Sequence, residues 1–424
     1  MNCLPYGLLG RSLKHSHSPL IHQLFGLADY RLYEVEPEEV EAFVRGGALD
    51  GMNVTIPYKQ AVMPLCDVIS ETARRAGGVN TLIYEQDGIH GYNTDYEGLR
   101  YMLARAGISL GGKRVAILGG GGASGAAMAL AEDQGARSVV RVSRRGPVRY
   151  EDADRYAGAQ VLINTTPVGM YPDNDGLPLS LSALPELEGV ADMIYNPLRT
   201  RLLQEAAARG IPGANGLVML VEQGRVASGY FQRRAIPQQE TERVTAALRR
   251  AVENIVLIGM PGSGKSTVGA EIAKSLNRRF IDTDEMVQGV TGITPEEIIR
   301  SQGESAFREI EADVIDKAGR ETGAVIATGG GVVLRADNRV ALKQNGRVYW
   351  LKRPLGLLAT SNRPLSEDLH ALYDQRMPFY EMAADCKVEA MGEMRMVAEE
   401  IVRSFCEDGG IMRSSPASPP SGRP

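Results

Sequence analysis

Two glycine-rich loops in this chain have residue types and spacing that hold phosphate groups. Residues 119–124 have the sequence GGGGAS, and residues 259–266 have the sequence GMPGSGKS. Each loop follows a short apolar run and precedes a helical pattern, so that N–H groups at a helix N-terminus would face the ligand. The first suits the pyrophosphate of a dinucleotide, and the second has the P-loop spacing G-x-x-x-x-G-K-[ST]. Two cofactors, and two reactions, are therefore predicted.

The first loop lies inside a predicted βαβ unit. A strand over 114–118 precedes it, a helix is expected from about 124 to 134 with Gly135 ending it, and a strand follows over 138–142. Glycine allows the tight turn and the close approach of a pyrophosphate. A plain structural turn is the alternative for the loop alone, and the βαβ setting favours a cofactor. The residues predicted to bind it here are Gly119, Gly121, Gly122, Ala123 and Ser124.

The end of the second strand indicates which dinucleotide binds. An NAD site places an acidic residue there to accept hydrogen bonds from the ribose hydroxyls. This chain has Ser143, Arg144 and Arg145 instead. Guanidinium groups pair with a 2′-phosphate, which a carboxylate would repel. A solvated basic turn is the alternative without the glycine loop, and with the loop the sequence predicts NADP(H).

The composition is that of a globular protein with several domains. At roughly 150 residues per domain, 424 residues suffice for about three. The net charge of −5 provides no basic surface, so no nucleic-acid partner is expected. The four cysteines form no C-x-x-C pair, and neither a leader pattern nor an apolar stretch of about 18 residues occurs. We expect a cytoplasmic protein without a membrane partner, and the sequence leaves homo-oligomer formation open.

Around the first loop the chain resembles the shikimate dehydrogenase family, from residue 4 to about residue 235. The motifs occur in the family's order: HSHSP at 15–19, NVTIPYK at 53–59, GVNT at 78–81, NTD at 93–95, NTTPVGM at 164–170, YNP at 195–197, NG at 215–216 and LVEQ at 220–223. The resemblance implies a pocket of hydroxyl and amide groups that suits a triol ring and its carboxylate. The residues implied to line it are Ser16, Ser18, Asn53, Thr55, Lys59, Asn80, Asp95 and Gln223, with Tyr195 nearby.

Lys59 and Asp95 are the catalytic residues that this resemblance implies. Hydride transfer to a ring ketone leaves an alkoxide that needs a proton, and a lysine beside a carboxylate can donate or relay one. Taken singly, Lys59 would more often be a surface charge and Asp95 a turn or cap residue. Their joint occurrence within matched motifs favours catalysis.

The second loop meets the P-loop pattern in full, directly after an apolar strand over 254–258. Lys265 would reach the β- and γ-phosphates of ATP, and the Ser266 hydroxyl would coordinate Mg²⁺. The residues predicted to bind the nucleotide are Gly262, Ser263, Gly264, Lys265, Ser266 and Thr267.

From about Glu253 to Ala390 the chain resembles the shikimate kinase family. The motifs are FIDTD at 280–284, AFRE at 306–309, TGGG at 328–331, RPL at 363–365 and RMPFY at 376–380. Any one arginine alone would more often form a surface salt bridge. The resemblance implies Asp282 for Mg²⁺ support, Asp284 for the attacking ring hydroxyl, Arg308 and Arg376 for the substrate carboxylate, Gly330 and Gly331 for close backbone approach, and Arg363 for the transferring phosphoryl group in a closing lid.

One departure from the kinase pattern falls in the lid region. Residues 357–363, LLATSNR, are short and lack the arginine that family members often place before the lid to stack on adenine. Nucleotide affinity and base selectivity are the properties that this departure would affect. The implied catalytic positions are retained.

The expected fold class is α/β throughout. A two-part dehydrogenase, with an α/β substrate domain and a Rossmann-like NADP domain, would precede a P-loop NTPase-type kinase domain. The predicted boundaries are 1–103 for the substrate domain, completed by helices returning at about 217–236, 104–216 for the NADP domain, 237–252 for a linker helix, 253–408 for the kinase domain and 409–424 for a disordered tail.

Together the two resemblances imply a bifunctional enzyme of the route to aromatic amino acids. NADPH would reduce 3-dehydroshikimate to shikimate, and ATP with Mg²⁺ would phosphorylate the shikimate 3-hydroxyl. Two alternatives stay open: quinate with NAD at the first site, or one half that only senses its ligand. Fusion alone does not predict transfer of shikimate between sites, so free diffusion is the default expectation.

Overall fold

The computed structural model describes residues 6–13, 16–46, 49–358 and 369–407. The chain divides into two compact units. The first contains Met1–Tyr195 and Thr200–Ala246, and the second contains Asn196–Arg199 and Ala247–Ile411. Two β-sheets lie in the first unit and one in the second, all accompanied by helices. The predicted α/β class is therefore confirmed.

The N-terminal part of the first unit forms a mixed six-stranded sheet. Its strands are β1 (Tyr6–Gly10), β2 (Tyr30–Glu34), β3 (Gly51–Val54), β4 (Val68–Ile69), β5 (Thr81–Glu85) and β6 (Gly88–Tyr92), and its helices are α1 (Ser18–Leu24), α2 (Val40–Arg45), α3 (Glu71–Ala76) and α4 (Asp95–Arg105). In the order β2-β1-β3-β5-β6-β4, β1 pairs in parallel with β2 and β3, whereas β5 runs antiparallel to β3 and β6. Strand β3 is buried along its whole length, which carries the polar Asn53 into the interior.

The second sheet has five parallel strands in the order β11-β10-β9-β7-β8. Its strands are β7 (Arg114–Leu118), β8 (Ser138–Val142), β9 (Val161–Asn164), β10 (Gly189–Asp192) and β11 (Gly213–Asn215), with helices α5 (Gly122–Asp133) and α6 (Arg201–Ala208). The strands predicted at 114–118 and 138–142 are confirmed. The first glycine loop follows β7 at its carboxyl end, the edge of an open α/β sheet where ligands bind.

Helix α5 begins at Gly122, slightly before the predicted start at Ser124. The reason is local, because Gly121 is extended and both the backbone N–H and the hydroxyl of Ser124 donate to the Gly121 carbonyl. The helix ends at Asp133, and Gly135 follows with φ +70°. This left-handed conformation confirms the predicted glycine termination.

Helix α7 (Gly216–Phe231) joins the two sheets of the first unit. Its Met219 packs in the core of the second sheet, while Phe231 packs with Leu8 of β1 and Ile83 of β5. Helix α8 (Gln239–Val252) follows within the range predicted as a linker helix. The described helices include none that is both long and apolar enough to cross a membrane.

The second unit is built on five parallel strands in the order β13-β14-β12-β15-β16. One face of this sheet packs Trp350 against Tyr380, and the other packs Tyr349 with Phe405. Strand β12 is buried throughout and leads into the P-loop. The strands are β12 (Asn254–Ile258), β13 (Phe280–Asp282), β14 (Val325–Ala327), β15 (Gly346–Lys352) and β16 (Cys386–Glu389), and the helices are α9 (Lys265–Leu276), α10 (Thr283–Thr291), α11 (Pro295–Gln302), α12 (Glu304–Gly319), α13 (Ala336–Asn345), α14 (Leu369–Ala383) and α15 (Met394–Glu407).

The close packing of α3 on α5 gives a first prediction. Gly125 lies so near α3 that an added Cβ would overlap the Ala76 carbonyl oxygen. Gly125→Ala should lower the free energy of unfolding of the first unit by about 1–3 kcal/mol, as overpacking does. The control is Gly289→Ala in α10, where nothing lies within 4 Å, and it should raise the free energy of unfolding by about 0.5–1 kcal/mol. Denaturant unfolding measures both changes, and a neutral Gly125→Ala would contradict the close contact.

Candidate active sites

Lys59 and Asp95 form an ion pair in the first unit. Lys59 Nζ lies 2.6 Å from Asp95 Oδ2, and the side chains are 20% and 10% exposed. Asp95 is the first residue of α4, and its backbone N–H donates to the Asn93 side chain, which itself donates to the Gly78 carbonyl. An added Cβ at Gly122 would lie 4.0 Å from Lys59 Cδ, so the lysine stem lies beside the start of α5. The pair therefore lies next to the glycine loop.

Hydrogen bonds join three of the predicted pocket amides. Asn53 Nδ2 donates to Thr81 Oγ1 at 3.0 Å, and the Thr81 hydroxyl lies 3.1 Å from Asn80 Oδ1. Thr94 Oγ1 lies 3.1 Å from Asn80 Nδ2 and 3.3 Å from Gln223 Oε1. The structure thus brings together residues from β3, from the segment before β5 and from α7.

The remaining predicted pocket residues lie on neighbouring segments of the same unit. Ser16 Oγ accepts the Ser18 backbone N–H at 3.2 Å. The His17 ring meets the Tyr195 ring edge-on at 5.9 Å, which brings the serine segment to the loop after β10. Burial raises the pKa of Tyr195. Thr55 directly follows β3 and is partly exposed.

The predicted dinucleotide residues surround the carboxyl end of β7. Ser143 lies against the loop, since an added Cβ at Gly120 would be 3.6 Å from Ser143 Cβ. Arg144 and Arg145 are exposed in the following turn, and Ala123 is partly exposed in the first turn of α5. Both donors of Ser124 point to the Gly121 carbonyl, so Ser124 shapes the loop from within.

A cleft of about 660 Å³ passes this loop and is lined in part by Gly120 and Gly121. It also contains Arg141 and Arg155, two basic residues that sequence reasoning missed. Arg141 lies in β8 just before the turn that contains Arg144 and Arg145. Its closeness in sequence to these arginines was the signal that could have identified it. Lys59 is not among the residues that line the cleft, although the neighbouring Gln60 is.

The P-loop has the conformation that its glycines permit. Gly262 and Gly264 have φ of +80° and +92°, a region that other residues rarely adopt. Lys265 Nζ donates to the Gly259 and Met260 carbonyls, each at 3.0 Å. The other predicted nucleotide residues differ in exposure, with Ser263 buried and Thr267 exposed.

Ser266 and Asp282 are placed for a magnesium ion. Ser266 Oγ donates to Asp282 Oδ2 at 2.6 Å, while Asp282 Oδ1 accepts the Asp284 backbone N–H at 3.0 Å. No group of three or more His, Cys, Asp or Glu side chains suited to a metal occurs among the described residues. A hydroxyl and one carboxylate fit Mg²⁺ nevertheless, because this ion takes most of its ligands from water and nucleotide phosphates.

Asp284 has an electrostatic environment suited to proton transfer. Burial by the surrounding protein, followed by repulsion from Asp282, raises its pKa to about 6. An added Cβ at Gly329 would lie 2.9 Å from Asp284 Oδ1 and 3.0 Å from Glu311 Oε1, so two carboxylates flank this glycine. A side chain at position 329 would crowd the Asp284 and Glu311 carboxylates.

Arg308 is held by two glutamates. Its Nη1 donates to Glu311 Oε2 at 2.8 Å, and its Nη2 donates to Glu304 Oε1 at 2.8 Å. Gly331 packs against the guanidinium and leaves no room for a Cβ, so the close approach predicted for this glycine is made to Arg308. Sequence reasoning missed Glu311, although its position three residues after Arg308 on one helix was a usable signal.

Arg376 is buried, and its Nε and Nη1 have no hydrogen-bond partner among the described residues. Burial lowers the pKa of Arg376. The neighbouring Tyr380 hydroxyl donates to the Gly330 carbonyl at 2.6 Å, which fixes that predicted glycine. A buried guanidinium with two unused donors is the chemistry of an anion site. The predicted Arg363 and the tail 409–424 lie outside the described residues.

Known proteins match both parts of the chain. The family model described as shikimate dehydrogenase substrate binding domain matches residues 8–82. The NADP(+) shikimate dehydrogenase of Geobacillus kaustophilus is 42% identical in an alignment 250 residues long that covers 52% of this chain and 90% of that protein. This chain belongs to the shikimate dehydrogenase family. The family model for shikimate kinase matches residues 261–406, so the second unit is a shikimate kinase domain of the P-loop class.

Solved structures agree with this assignment to the dehydrogenase family. A chorismate mutase/shikimate 5-dehydrogenase fusion protein from Clostridium acetobutylicum has a TM-score of 0.56 and 33% identity, covering 58% of this chain and 98% of that one. A quinate dehydrogenase from Corynebacterium glutamicum in complex with NAD has a TM-score of 0.52 and 26% identity, covering 58% of this chain and 98% of that one. The dehydrogenase fold therefore does not by itself decide between the two substrates.

The unused donors of Arg376 give a prediction about stability. Arg376→Met removes a buried charge whose Nε and Nη1 lack hydrogen-bond partners among the described residues, and it should raise the free energy of unfolding of the second unit by about 1–2 kcal/mol. The matched control is Arg347→Met, which removes a buried arginine whose Nη2 donates to Glu253 at 2.9 Å. That change should lower the free energy of unfolding by about 3–5 kcal/mol. Thermal and denaturant unfolding measure both, and a similar loss in the two variants would contradict an anion site at Arg376.

Proposed function

We propose that this chain catalyses two consecutive reactions, the reduction of 3-dehydroshikimate to shikimate and the phosphorylation of shikimate by ATP. One observation carries the proposal. A partly buried Lys59–Asp95 pair beside a dinucleotide loop and an Asp284 carboxyl beside a P-loop occur in one chain. The product of the first site is the substrate of the second.

In the first reaction Lys59 and Asp95 are responsible for proton transfer to the substrate. NADPH, when bound, supplies the hydride to the ring ketone. Lys59 Nζ donates a proton to the oxygen that becomes the new hydroxyl, and Asp95, 2.6 Å away, holds the ammonium in place. The serines Ser16 and Ser18, with Thr55, bind the carboxylate end of the substrate.

The basic turn after β8 supports NADP(H) as the cofactor. Arg144 and Arg145 are exposed beside Ser143, where they can pair with a 2′-phosphate. The Geobacillus kaustophilus relative also carries NADP(+) in its name. Quinate with NAD remains the second candidate, favoured by the NAD complex of the quinate dehydrogenase neighbour. The ratio of kcat/KM for NADP and NAD, measured with shikimate and with quinate, decides between them.

In the second reaction the P-loop unit positions an acceptor hydroxyl. Mg²⁺-ATP, when bound, supplies the phosphoryl group. Lys265 and Ser266 hold the nucleotide and its metal with Asp282, and Asp284 accepts the proton of the attacking hydroxyl. The unused donors of Arg376, with Arg308, bind the shikimate carboxylate, and Arg363 neutralises the transferring phosphoryl group.

The two activities can be separated by their products. Purified protein with 3-dehydroshikimate, NADPH, ATP and Mg²⁺ should yield shikimate 3-phosphate by mass spectrometry. The reaction should stop at shikimate without ATP and should not start without NADPH. An absence of shikimate in the reaction without ATP would contradict the dehydrogenase. Shikimate that is not phosphorylated in the full mixture would contradict the kinase and leave the non-catalytic alternative for that half.

The raised pKa of Asp284 predicts the acid limb of the kinase reaction. Asp284 must be ionised to accept a proton, and its pKa is raised to about 6. The kcat/KM for shikimate should therefore fall about tenfold per pH unit below about pH 6 and level off above about pH 7. Asp284→Asn should lower kinase kcat by at least about 100-fold. Thermal unfolding of the second unit in the same variant is the folding control, and a flat kinase profile down to pH 5 would contradict this role.

A further inference from the structure

Tyr30 is a buried tyrosine that no sequence motif singled out. It is the first residue of β2, and its hydroxyl lies 2.8 Å from Asn53 Oδ1. Both side chains are buried, so this hydrogen bond is shielded from water. Asn53 is one end of the amide series that continues to Gln223 through Thr81, Asn80 and Thr94.

Backbone groups fix the orientation of the three amide side chains in this series. A carbonyl oxygen can only accept a hydrogen bond. The backbone carbonyl oxygen of Asn80 lies 3.3 Å from the Asn53 side-chain amide atom that points away from Tyr30. That atom must be the nitrogen, so the amide oxygen faces Tyr30 and the Tyr30 hydroxyl must donate to it. The same reasoning applies to Gln223 at the other end of the series. The Leu220 carbonyl oxygen lies 2.8 Å from the Gln223 amide and can only accept, so the amide atom that faces it must be the nitrogen.

The middle of the series obeys the same constraint. The backbone N–H of Thr94 can only donate, and it lies 2.8 Å from Asn80 Oδ1, which fixes the Asn80 amide. Thr81 accepts from Asn53 Nδ2 and therefore donates its own proton to Asn80 Oδ1. Thr94 Oγ1 accepts from Asn80 Nδ2 and lies 3.3 Å from both Gln223 Oε1 and Asn80 Oδ1, either of which can accept its single proton.

The bonds thus run in one direction from Tyr30 to the Thr94 hydroxyl. Asn80 Oδ1 is occupied by Thr94 and Thr81, whereas Asn80 Nδ2 uses one proton within the series and has no other partner among the described residues. Gln223 Nε2 likewise uses one proton on Leu220, and its second proton has no partner in the described part of the chain. Asn80 and Gln223 therefore offer donors to a substrate hydroxyl oxygen, and the Asp95 carboxylate offers an acceptor for its proton.

His22 holds Tyr30 in place from the other side. The two rings stack with centroids 4.0 Å apart, and His22 Nδ1 lies 2.7 Å from Ser228 Oγ on α7. Burial lowers the pKa of His22 to about 3, so the imidazole is neutral, and a hydrogen bond joins the ring to the Asn53 side chain. Rotation of the Tyr30 phenol away from Asn53 is blocked by this packing.

We infer that Tyr30 is a positioning residue for the dehydrogenase, whose hydroxyl anchors the Asn53 side chain and thereby holds the amide N–H groups of Asn80 and Gln223 toward the substrate hydroxyls. The inference rests on the dehydrogenase activity proposed above. Without the Tyr30 hydroxyl, Asn53 Oδ1 loses a buried donor, and the Asn53 side chain is held less firmly against Thr81 and Asn80. Substrate binding then weakens, while the Lys59–Asp95 pair stays in place.

The test compares Tyr30→Phe and Thr81→Val with the intact chain. Each should raise KM for shikimate about five- to tenfold, as loss of one buried hydrogen bond does, and should leave kcat within about twofold. Thr81→Ser keeps a hydroxyl that both accepts and donates, and it should restore KM to within about twofold of the intact chain. KM for NADP should not change in any variant.

Tyr84→Phe is the matched control. Its hydroxyl donates to the Val44 carbonyl at 2.8 Å in the same sheet, outside the series. It should lose similar thermal stability and keep the original KM for shikimate. A KM increase as large in Tyr84→Phe as in Tyr30→Phe, or an unchanged KM in Tyr30→Phe, would overturn the inference.

A second readout separates this inference from the activity itself. In the full-length chain, the side-chain NH₂ protons of Asn53 and Asn80 should exchange slowly with water, as measured by NMR with labelled asparagine. In Tyr30→Phe their exchange should become at least about tenfold faster, and in Tyr84→Phe it should not change. Failure of the intact chain to oxidise shikimate would refute the proposed function, whereas unchanged exchange in Tyr30→Phe would refute the role of Tyr30.

Discussion

The binding of phosphate groups by backbone N–H donors is the constraint on which both units depend. A peptide backbone can approach a phosphate only where side chains are absent, and its N–H groups converge only where a helix begins. Parallel strands meet this requirement because their carboxyl ends share one edge and each leads into a helix. Strand β7 with α5 and strand β12 with α9 both have this arrangement. The rest of each unit is arranged around the sheet edge at which these strands end.

The two units place their reactive carboxyls differently. Asp95 begins a helix and is held beside a lysine at 2.6 Å, an arrangement that keeps a proton donor and its partner together. Asp284 instead lies near Asp282, and burial with this repulsion raises its pKa to about 6. The first arrangement suits protonation of a developing alkoxide, and the second suits removal of a proton from a hydroxyl. The chemistry of each site thus follows from the charge beside its carboxyl.

Both units also keep polar groups buried at a cost in stability. In the first unit the Asn53–Gln223 series satisfies its donors internally and retains a few for a ligand. In the second unit Arg376 keeps two buried nitrogen atoms without partners among the described residues. A folded state optimised for stability alone would fill such positions with apolar side chains. We therefore expect a ligand to supply hydrogen-bond partners to these buried polar groups.

The sequence alone determined the features that depend on short spacings. Glycines at fixed offsets identified both loops, apolar runs located β7, β8 and β12 at their observed bounds, and ordered motifs indicated the two families. These features are local, because a turn or a strand is specified by neighbouring residues. The domain boundaries, the individual site roles and Arg363 in the lid remain predictions.

Tertiary structure alone decided which distant side chains meet. Tyr30 and Gln223 are far apart in the chain and belong to one hydrogen-bond series only because β2, β3 and α7 pack together. Glu311 acquired its importance from burial against Arg308, and Ser124 turned inward to the Gly121 carbonyl. Hydrogen-bond direction, burial and pKa depend on the atoms that surround a group in three dimensions. The sequence predicted the candidate reactive residues, and the fold set their orientation and charge.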